Sequence, residues 1–355
     1  MQTGYNARHR LQCGQNPNGG PETRSMTEEK IDRPTVLEEL RSELPIFWKS
    51  VPYKGVFVSL LVGWVLLFEF LGNSTFGYVQ THSLFQWMFF CYENSPDDEH
   101  GYFIPFLVLG LFWWKRKAFV GLKVQPWLPG LLMVGVALLL HVVGYLGQQA
   151  RISIVAFYFG IYAMIGLVWG ISALKATFFP MCLFAFALPL GTLAESITFP
   201  LRLFATSITG GVANTILGIE VIARGTLIYD PSGSYQYEVA AACGGLRSLT
   251  AVLALCTIYA FMNFDRYRNR LILILAAFPL AIVGNITRLI GLIIVSSAFG
   301  KETGAMVHDN TWFSLIPYIP PIAGIVLIGR WLREQPPEGD VQKPMVNSTA
   351  ELQPS

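Results

Sequence analysis

The stretch LILILAAFPLAIVGNITRLIGLIIVSSA, residues 271–298, is apolar along almost its whole length. About 20 apolar residues are enough for one helix to cross a bilayer, so this stretch predicts a transmembrane helix. The rest of the chain is similar, since 53% of its 355 residues are hydrophobic and 14% are charged. A soluble domain carries roughly 25% charged residues. The composition therefore predicts a membrane protein and excludes a disordered chain, a coiled coil and a nucleic-acid-binding protein.

Seven further apolar stretches bring the prediction to about eight transmembrane helices. In chain order, the predicted spans are 53–72, 102–114, 128–147, 153–173, 176–193, 247–263, 271–298 and 313–332. The span at 102–114 is short, so we expect either a helix that begins earlier, around residues 100–102, or a thinned region of the bilayer. The aromatic stretch 76–92 contains polar residues and is predicted to be interfacial or re-entrant.

Basic residues predict the orientation of these helices, because positive charges concentrate in cytoplasmic loops. With a cytoplasmic N-terminus and eight spans, nearly all basic loop residues fall on the cytoplasmic side. They are Lys115, Arg116, Lys117, Lys123, Lys175, Arg266, Arg268, Arg270, Arg330 and Arg333. Arg151 is the exception. The segments 73–101, 194–246 and 299–312 are then predicted to be extracytoplasmic.

The longest of these outer segments, 194–246, is predicted to form a small cap. Its first part is amphipathic with helical spacing, and short β-prone pieces over 219–240 are interrupted by Gly225 and by PSGS at 231–234, as is typical of a hairpin. We therefore expect an all-α polytopic membrane protein with a small extracytoplasmic helix/β-hairpin cap. The predicted domains are a disordered polar tail (1–35), a transmembrane domain (36–333) and a polar C-terminal tail (334–355).

Arg288 is the strongest candidate for a functional residue, because a charged side chain inside a bilayer is costly. Apolar sequence flanks it on both sides, and about 15 Å of helix separates it from the predicted outer end of the span. Asn285 lies three residues earlier and hence on the same helix face. The alternative is a structural arginine that joins helices through backbone carbonyls or through Glu69.

Cys243 is the candidate nucleophile among the five cysteines. Gly244 and a second glycine follow it at the predicted start of a helix, where exposed backbone N–H groups lower a thiol pKa and can hold an oxyanion. Arg247, one helical turn further on, would add positive charge. The alternative is a small buried residue in a glycine-rich turn. Cys91 is the other cysteine that remains available for chemistry or a disulfide.

His308 lies in the short outer segment before the last predicted span. In the predicted topology, His308, Cys243 and Arg288 all lie at or near the outer half of the membrane. A thiol, a base and a cation are the groups that acyl transfer requires. The cysteine and histidine spacing contains no zinc pattern, so we expect neither a metal nor a cofactor. His141, in the middle of the third span, is predicted to be a packing residue.

Five segments, in order along the chain, resemble the motifs of one family. AAACGGLRS at 240–248 resembles the cysteine motif of the exosortase/archaeosortase family, GNITRLIG at 284–291 its Asn-x-x-Arg segment, and VHDNTW at 307–312 its late histidine motif. SPDDEHGYFIPFLVLGLFWWKRK at 95–117 is similar to the family's His-Gly…Pro segment, which ends in a basic loop. FPMCLFAFALPLG at 179–191 is similar to its Pro-flanked fifth span.

The resemblance implies a polytopic cysteine transpeptidase of the inner (plasma) membrane with an extracytoplasmic active site. Members of the family recognise a C-terminal sorting signal on exported proteins. The signal consists of a short motif such as Pro-Glu-Pro (the PEP-CTERM type), one hydrophobic helix and a cluster of basic residues. The enzyme cleaves near the motif and transfers the protein onward, and the expected acceptor is linked to lipid or polysaccharide. The expected partners are therefore sorting signals, this acceptor and membrane lipids, but not nucleic acid.

The resemblance also implies a role for each matching residue. Cys243 would form an acyl-thioester with the substrate, and Arg288 would donate a proton or stabilise the oxyanion. His308 would act as a base or stabilise the transition state, and Asn285 would orient Arg288. Gly244 departs from the pattern, because many relatives have serine there.

Two other functions fit the composition. A transporter or channel would place Arg288 and Glu69 along a pathway, although the two halves of the chain show no paired, broken helices of the kind that transporters use. A structural or assembly protein would use Cys243, Arg288 and His308 for packing alone. A zinc intramembrane protease is disfavoured, because the sequence has no HExxH motif.

Overall fold

A computed structural model describes residues 36–75, 79–95, 97–116, 119, 122, 124–238, 245–309 and 313–332. The chain divides into two units after Lys49. The first unit contains most of α1 (Val36–Ser50), an amphipathic helix with a proline inside it. The described helices of the second unit are α2 (Lys54–Leu71), α3 (Leu84–Asn94), α4 (Ile104–Trp114), α5 (Pro129–Leu146), α6 (Ala150–Trp169), α7 (Ile171–Cys182), α8 (Thr192–Val212), α9 (Gly245–Asn263), α10 (Tyr267–Phe299), α11 (Lys301–Asp309) and α12 (Ile319–Trp331).

Four of these helices, α2, α5, α6 and α10, are long and apolar enough to cross a membrane. Three apolar segments are shorter: Ile171–Ala187, Ser248–Asn263 and Ile319–Trp331. The predicted all-α membrane protein is therefore confirmed, while the count of eight spans stays a prediction. The short span predicted at 102–114 forms α4, and a 3₁₀ turn over Glu99–Tyr102 precedes it, so its helical structure does begin earlier than residue 102.

The core of the N-terminal half surrounds Phe68 of α2, which is fully buried. Trp64, one turn earlier, donates a hydrogen bond from its indole N–H to the carbonyl oxygen of Phe157 in α6 (3.0 Å). The His141 ring lies 4.3 Å from the Phe68 ring, and its Nδ1 is 3.2 Å from Ser153 Oγ. His141 is thus buried against apolar groups and hydrogen-bonded, in agreement with its predicted packing role.

The turn that leads into α8 is held by two charged side chains from other segments. The buried carboxylate of Asp98 accepts hydrogen bonds from the backbone N–H groups of Leu190 (3.0 Å) and Gly191 (3.2 Å). Arg151 donates from Nε to the carbonyl oxygen of Pro189 (2.7 Å). Arg151, the one basic residue that did not fit the predicted charge pattern, therefore has a structural role on the side of the molecule where Asp98 lies.

Residues 222–238 form a three-stranded antiparallel sheet with strands β1 (Ile222–Arg224), β2 (Leu227–Tyr229) and β3 (Gln236–Glu238) in that order. These strands overlap the short β-prone pieces that the sequence predicts over 219–240, with the breaks at Gly225 and PSGS between them. Gly225, in the first turn, has a φ of +64°, a conformation that glycine adopts at little cost. Ile228 of β2 is fully buried, and it packs in one cluster with Leu289 and Leu292 of α10. That the sheet caps the outer face of the membrane stays a prediction.

Replacing Asp98 with alanine is expected to lower stability by about 1–3 kcal/mol, because two backbone N–H groups lose their acceptor. The measurement is the midpoint of thermal unfolding of the full chain in detergent. Glu93→Ala is the matched control, because Glu93 is an exposed carboxylate at the end of α3. Equal midpoints for the two variants would contradict a role of Asp98 in holding the start of α8.

Candidate functional site

Among the three candidate catalytic residues, the structure describes the side chain of Arg288, which is half-buried in α10. Cys243 and Gly244 lie outside the described residues. Arg247 and His308 lie in the helices α9 and α11, but their side chains are not among those described.

The segment before Cys243 is attached to α10 by a hydrogen bond. Strand β3 ends at Glu238, and α9 begins at Gly245, so Cys243 belongs to the short connection between them. The hydroxyl of Tyr237 in β3 is hydrogen-bonded to Ser296 Oγ of α10. Tyr237 thus fixes the chain six residues before Cys243 to the second half of α10, two helical turns beyond Arg288.

The segment that carries His308 packs at the same place. α11 follows α10 directly after Gly300, and Gly304 lies so close to Ser296 and Tyr237 that a Cβ atom at this position would collide with both hydroxyl groups. Val307, the neighbour of His308, is partly buried against the cluster that contains Leu289, the neighbour of Arg288. The chain therefore has to approach closely at Gly304 for α11 to lie along α10.

One apolar cluster accordingly joins the segments of all three candidates. It contains Leu289, Leu292 and Ile293 of α10, with Ile228 of the sheet, and both Tyr237 and Val307 pack against it. Arg288 has no hydrogen bond or ion pair with any other residue that the structure describes. Its guanidinium is therefore not occupied by a described structural contact.

Glu69 lies in the N-terminal half, and its described partner is Ser83 and not Arg288. Its carboxylate accepts a hydrogen bond from Ser83 Oγ (2.7 Å), and Ser83 also caps the N-terminus of α3 by accepting from the backbone N–H of Gln86. α2, which carries Glu69, packs against α3 and α6. The described contacts of Glu69 therefore stabilise the N-terminal half and do not bring it to Arg288.

Asn285 faces a small cavity between α8, α9 and α10, together with an arginine that the sequence analysis missed. This residue, Arg202 of α8, is 7% exposed, as is Asn285. A signal for it exists in the sequence, because Thr198, Arg202 and Thr206 recur at helical spacing. Whether Asn285 orients Arg288 stays a prediction.

Cys91 is disfavoured as an alternative nucleophile. Burial, together with the charge of Asp98, raises the pKa of the Cys91 thiol to about 11. The thiolate is the reactive form of cysteine, so Cys91 is a neutral and weakly nucleophilic thiol near pH 7. No group of three or more His, Cys, Asp or Glu residues that could hold a metal ion occurs among the described residues.

Comparisons with known proteins give one match. The sequence profile of the transmembrane exosortase family (Exosortase_EpsH) matches residues 92–313. This range contains Cys243, Arg288 and His308 as well as the sheet and the cavity. Neither a comparison with curated proteins nor one with solved structures gives a match.

Gly304→Ala is expected to separate α11 from Tyr237 and Ser296, because the added methyl group has no space there. Overpacking of this kind costs about 1–3 kcal/mol. Gly291→Ala is the matched control on α10, because an added Cβ at Gly291 meets no atom within 4 Å. The thermal midpoint in detergent should fall for Gly304→Ala alone. Equal midpoints would contradict the close approach of α11.

Alkylation of Cys91 by iodoacetamide is expected to be slow at pH 8 and to rise about tenfold per pH unit up to about pH 10. The reason is that a thiol with a pKa of about 11 forms thiolate only as the pH approaches that value. Mass spectrometry of the Cys91 peptide from the native protein measures the rate, with glutathione as the reference thiol. A Cys91 rate that levels off below pH 9 would contradict the raised pKa.

Proposed function

Because the chain belongs to the transmembrane exosortase family, as the match over residues 92–313 shows, we propose that it is a membrane cysteine transpeptidase that sorts exported proteins. Its substrates carry a C-terminal signal made of a short motif, a hydrophobic helix and a basic cluster. The enzyme cleaves near the motif and transfers the protein to a surface acceptor linked to lipid or polysaccharide. It lies in the inner membrane with its active site on the extracytoplasmic side.

The observation that carries this proposal is the convergence of three segments on the second half of α10. The sheet leads to Cys243, α10 carries Arg288, and α11 carries His308; all three meet in the cluster that contains Leu289 and Ile228. Acyl transfer needs a nucleophile, a group that moves protons and a cation near the developing oxyanion. These are the functional groups on the three segments.

In the proposed reaction, the thiolate of Cys243 attacks the carbonyl carbon of the scissile peptide bond. The carbonyl oxygen becomes negative in the tetrahedral intermediate, and the C–N bond then breaks, so that an acyl-thioester forms and the C-terminal fragment leaves as an amine. The amine needs a proton. A nucleophilic group of the acceptor then attacks the thioester, loses its own proton and releases the Cys243 thiolate.

The chemistry of the two basic side chains separates their roles. A guanidinium stays protonated in proteins, so Arg288 is suited to stabilising the oxyanion and unsuited to proton exchange. An imidazole both accepts and donates a proton near neutral pH, so we assign the proton transfers to His308. The partial burial of Arg288 strengthens its attraction for the oxyanion, because the surroundings screen charge less than water does.

The proposal predicts that Cys243→Ala abolishes processing and that Arg288→Ala lowers its rate by about 10²–10³-fold, the usual cost of losing one oxyanion donor. His308→Ala should also let the uncleaved substrate accumulate. The assay is pulse-labelling of a tagged exported protein from the same genome that ends in a motif, an apolar helix and a basic cluster. Cys182→Ala is the control, since Cys182 is a free, half-buried thiol of α7.

Full processing by Cys243→Ala would contradict the proposal. A transporter would instead show solute uptake that depends on Arg288 and not on Cys243. A direct check of the mechanism is mass spectrometry of the enzyme quenched in acid, in which the acyl-thioester should appear on the Cys243 peptide of the wild type.

A further inference from the structure

Helix α8 turns its polar face inward and its apolar face outward. Thr198, Arg202, Thr206 and Thr209 lie along one side of the helix, and all four are at least 93% buried. Phe199 and Phe204, on other sides, are 51% and 56% exposed. A helix on a water-facing surface buries its apolar side. α8 has the opposite arrangement, which is typical of a helix with lipid on its outer side and a polar interior on its inner side, whereas the sequence predicted residues 194–246 to lie outside the membrane.

The polar side of α8 lines the cavity that also contains Asn285. The cavity has a volume of about 20 Å³ and is lined by Thr198, Leu201, Arg202 and Ala205 of α8, Ser248 and Leu249 of α9, and Phe278, Ala281, Ile282 and Asn285 of α10. Two of its polar atoms, Arg202 Nε and Asn285 Oδ1, are buried and have no hydrogen-bond partner among the described residues. Buried polar atoms are rarely left without partners, so we expect a group outside the described residues to satisfy them.

The charge around the cavity favours an anion. Arg202 makes no ion pair with any residue that the structure describes. Ser248 lies in the first turn of α9, where the helix carries a partial positive charge. A buried guanidinium is costly without a counter-charge, and a carboxylate, with two oxygens in one plane, is the group that matches its geometry.

The position of the cavity links it to the proposed reaction. Ser248 lies five residues after Cys243, and Asn285 lies one helical turn before Arg288. A group held in this cavity is therefore adjacent, along both α9 and α10, to the turns that lead to the candidate catalytic residues.

We propose that Arg202 and Asn285 form a subsite for a carboxylate side chain of the substrate, close to the bond that is cleaved. Arg202 binds the two carboxylate oxygens, and the start of α9 adds its partial positive charge. Asn285 donates from Nδ2 to the carboxylate, and its Oδ1 accepts a hydrogen bond from a backbone N–H of the substrate. The inference rests on the proposed function and adds a specificity residue to it.

The first test pairs enzyme and substrate variants in the same processing assay. Each Asp and Glu of the reporter's short motif is changed in turn to Asn or Gln, and initial rates are measured with the wild type and with Arg202→Gln. One reporter change should lower the wild-type rate by about ten- to hundredfold. The same reporter change should not alter the rate of Arg202→Gln, because this variant already processes the unchanged reporter as slowly as the wild type processes the changed one.

The second test separates binding from folding. Arg202→Met should leave the thermal midpoint of the substrate-free full chain unchanged or raise it, because it removes a buried cation that has no described partner. Arg151→Met is the matched control and should lower the midpoint, since Arg151 Nε donates to Pro189. Arg202→Lys keeps the charge without the planar pair of donors and should process the reporter at an intermediate rate.

Three outcomes would overturn the subsite. One is unchanged processing by Arg202→Gln, and another is an equal loss for every reporter, which would indicate a role without carboxylate recognition. The third is a lower thermal midpoint for both Arg202→Met and Glu195→Gln. Glu195 lies two turns earlier in α8, and this result would identify it as the partner of Arg202. In all three cases Cys243→Ala still blocks processing. Processing that survives Cys243→Ala would instead overturn the proposed function.

Discussion

The packing of the small sheet and of α11 against α10 is the interaction on which the candidate site depends. Ile228 is fully buried against Leu289 and Leu292, and Tyr237 is hydrogen-bonded to Ser296. The part of α10 that follows Pro279 extends to Phe299 and offers one helical surface to both segments. This contact brings the sheet, which ends five residues before Cys243, and the helix that carries His308 to the part of α10 that carries Arg288.

A second constraint comes from the solvent. Inside a membrane, a polar side chain finds no water and needs a partner within the protein. Asp98 and Arg151, which lie outside the predicted spans, also have protein partners, because they bind the backbone around Pro189 and Gly191. By contrast, neither the side chain of Arg202 nor that of Arg288 has a hydrogen bond or an ion pair with a described residue. A substrate group that pairs with such a charged side chain is bound favourably, because it offsets the desolvation penalty of the unpaired charge.

The sequence was informative wherever a property belongs to one continuous segment. About 20 apolar residues in a row define a spanning helix whatever surrounds it, and α2, α5, α6 and α10 were predicted for this reason. The sequence was less informative for α8, whose residue pattern is amphipathic. Periodicity shows that such a helix has two faces, but not which one meets lipid, so the buried Arg202 was overlooked. The three strands of the sheet follow the β-prone pieces of the sequence, because short turns join neighbouring strands and their pairing is therefore local in the chain.

The sequence by itself determined the class of protein, the family motifs and the residues that could carry the chemistry, since each depends on residue type and spacing. Tertiary structure alone decided which segments meet. It assigned Arg151 and Glu69 to structural contacts, turned the polar face of α8 inward and placed Arg202 beside Asn285 in one cavity. The physical reason is that burial and pairing are properties of neighbours in space, which the linear order of residues does not specify.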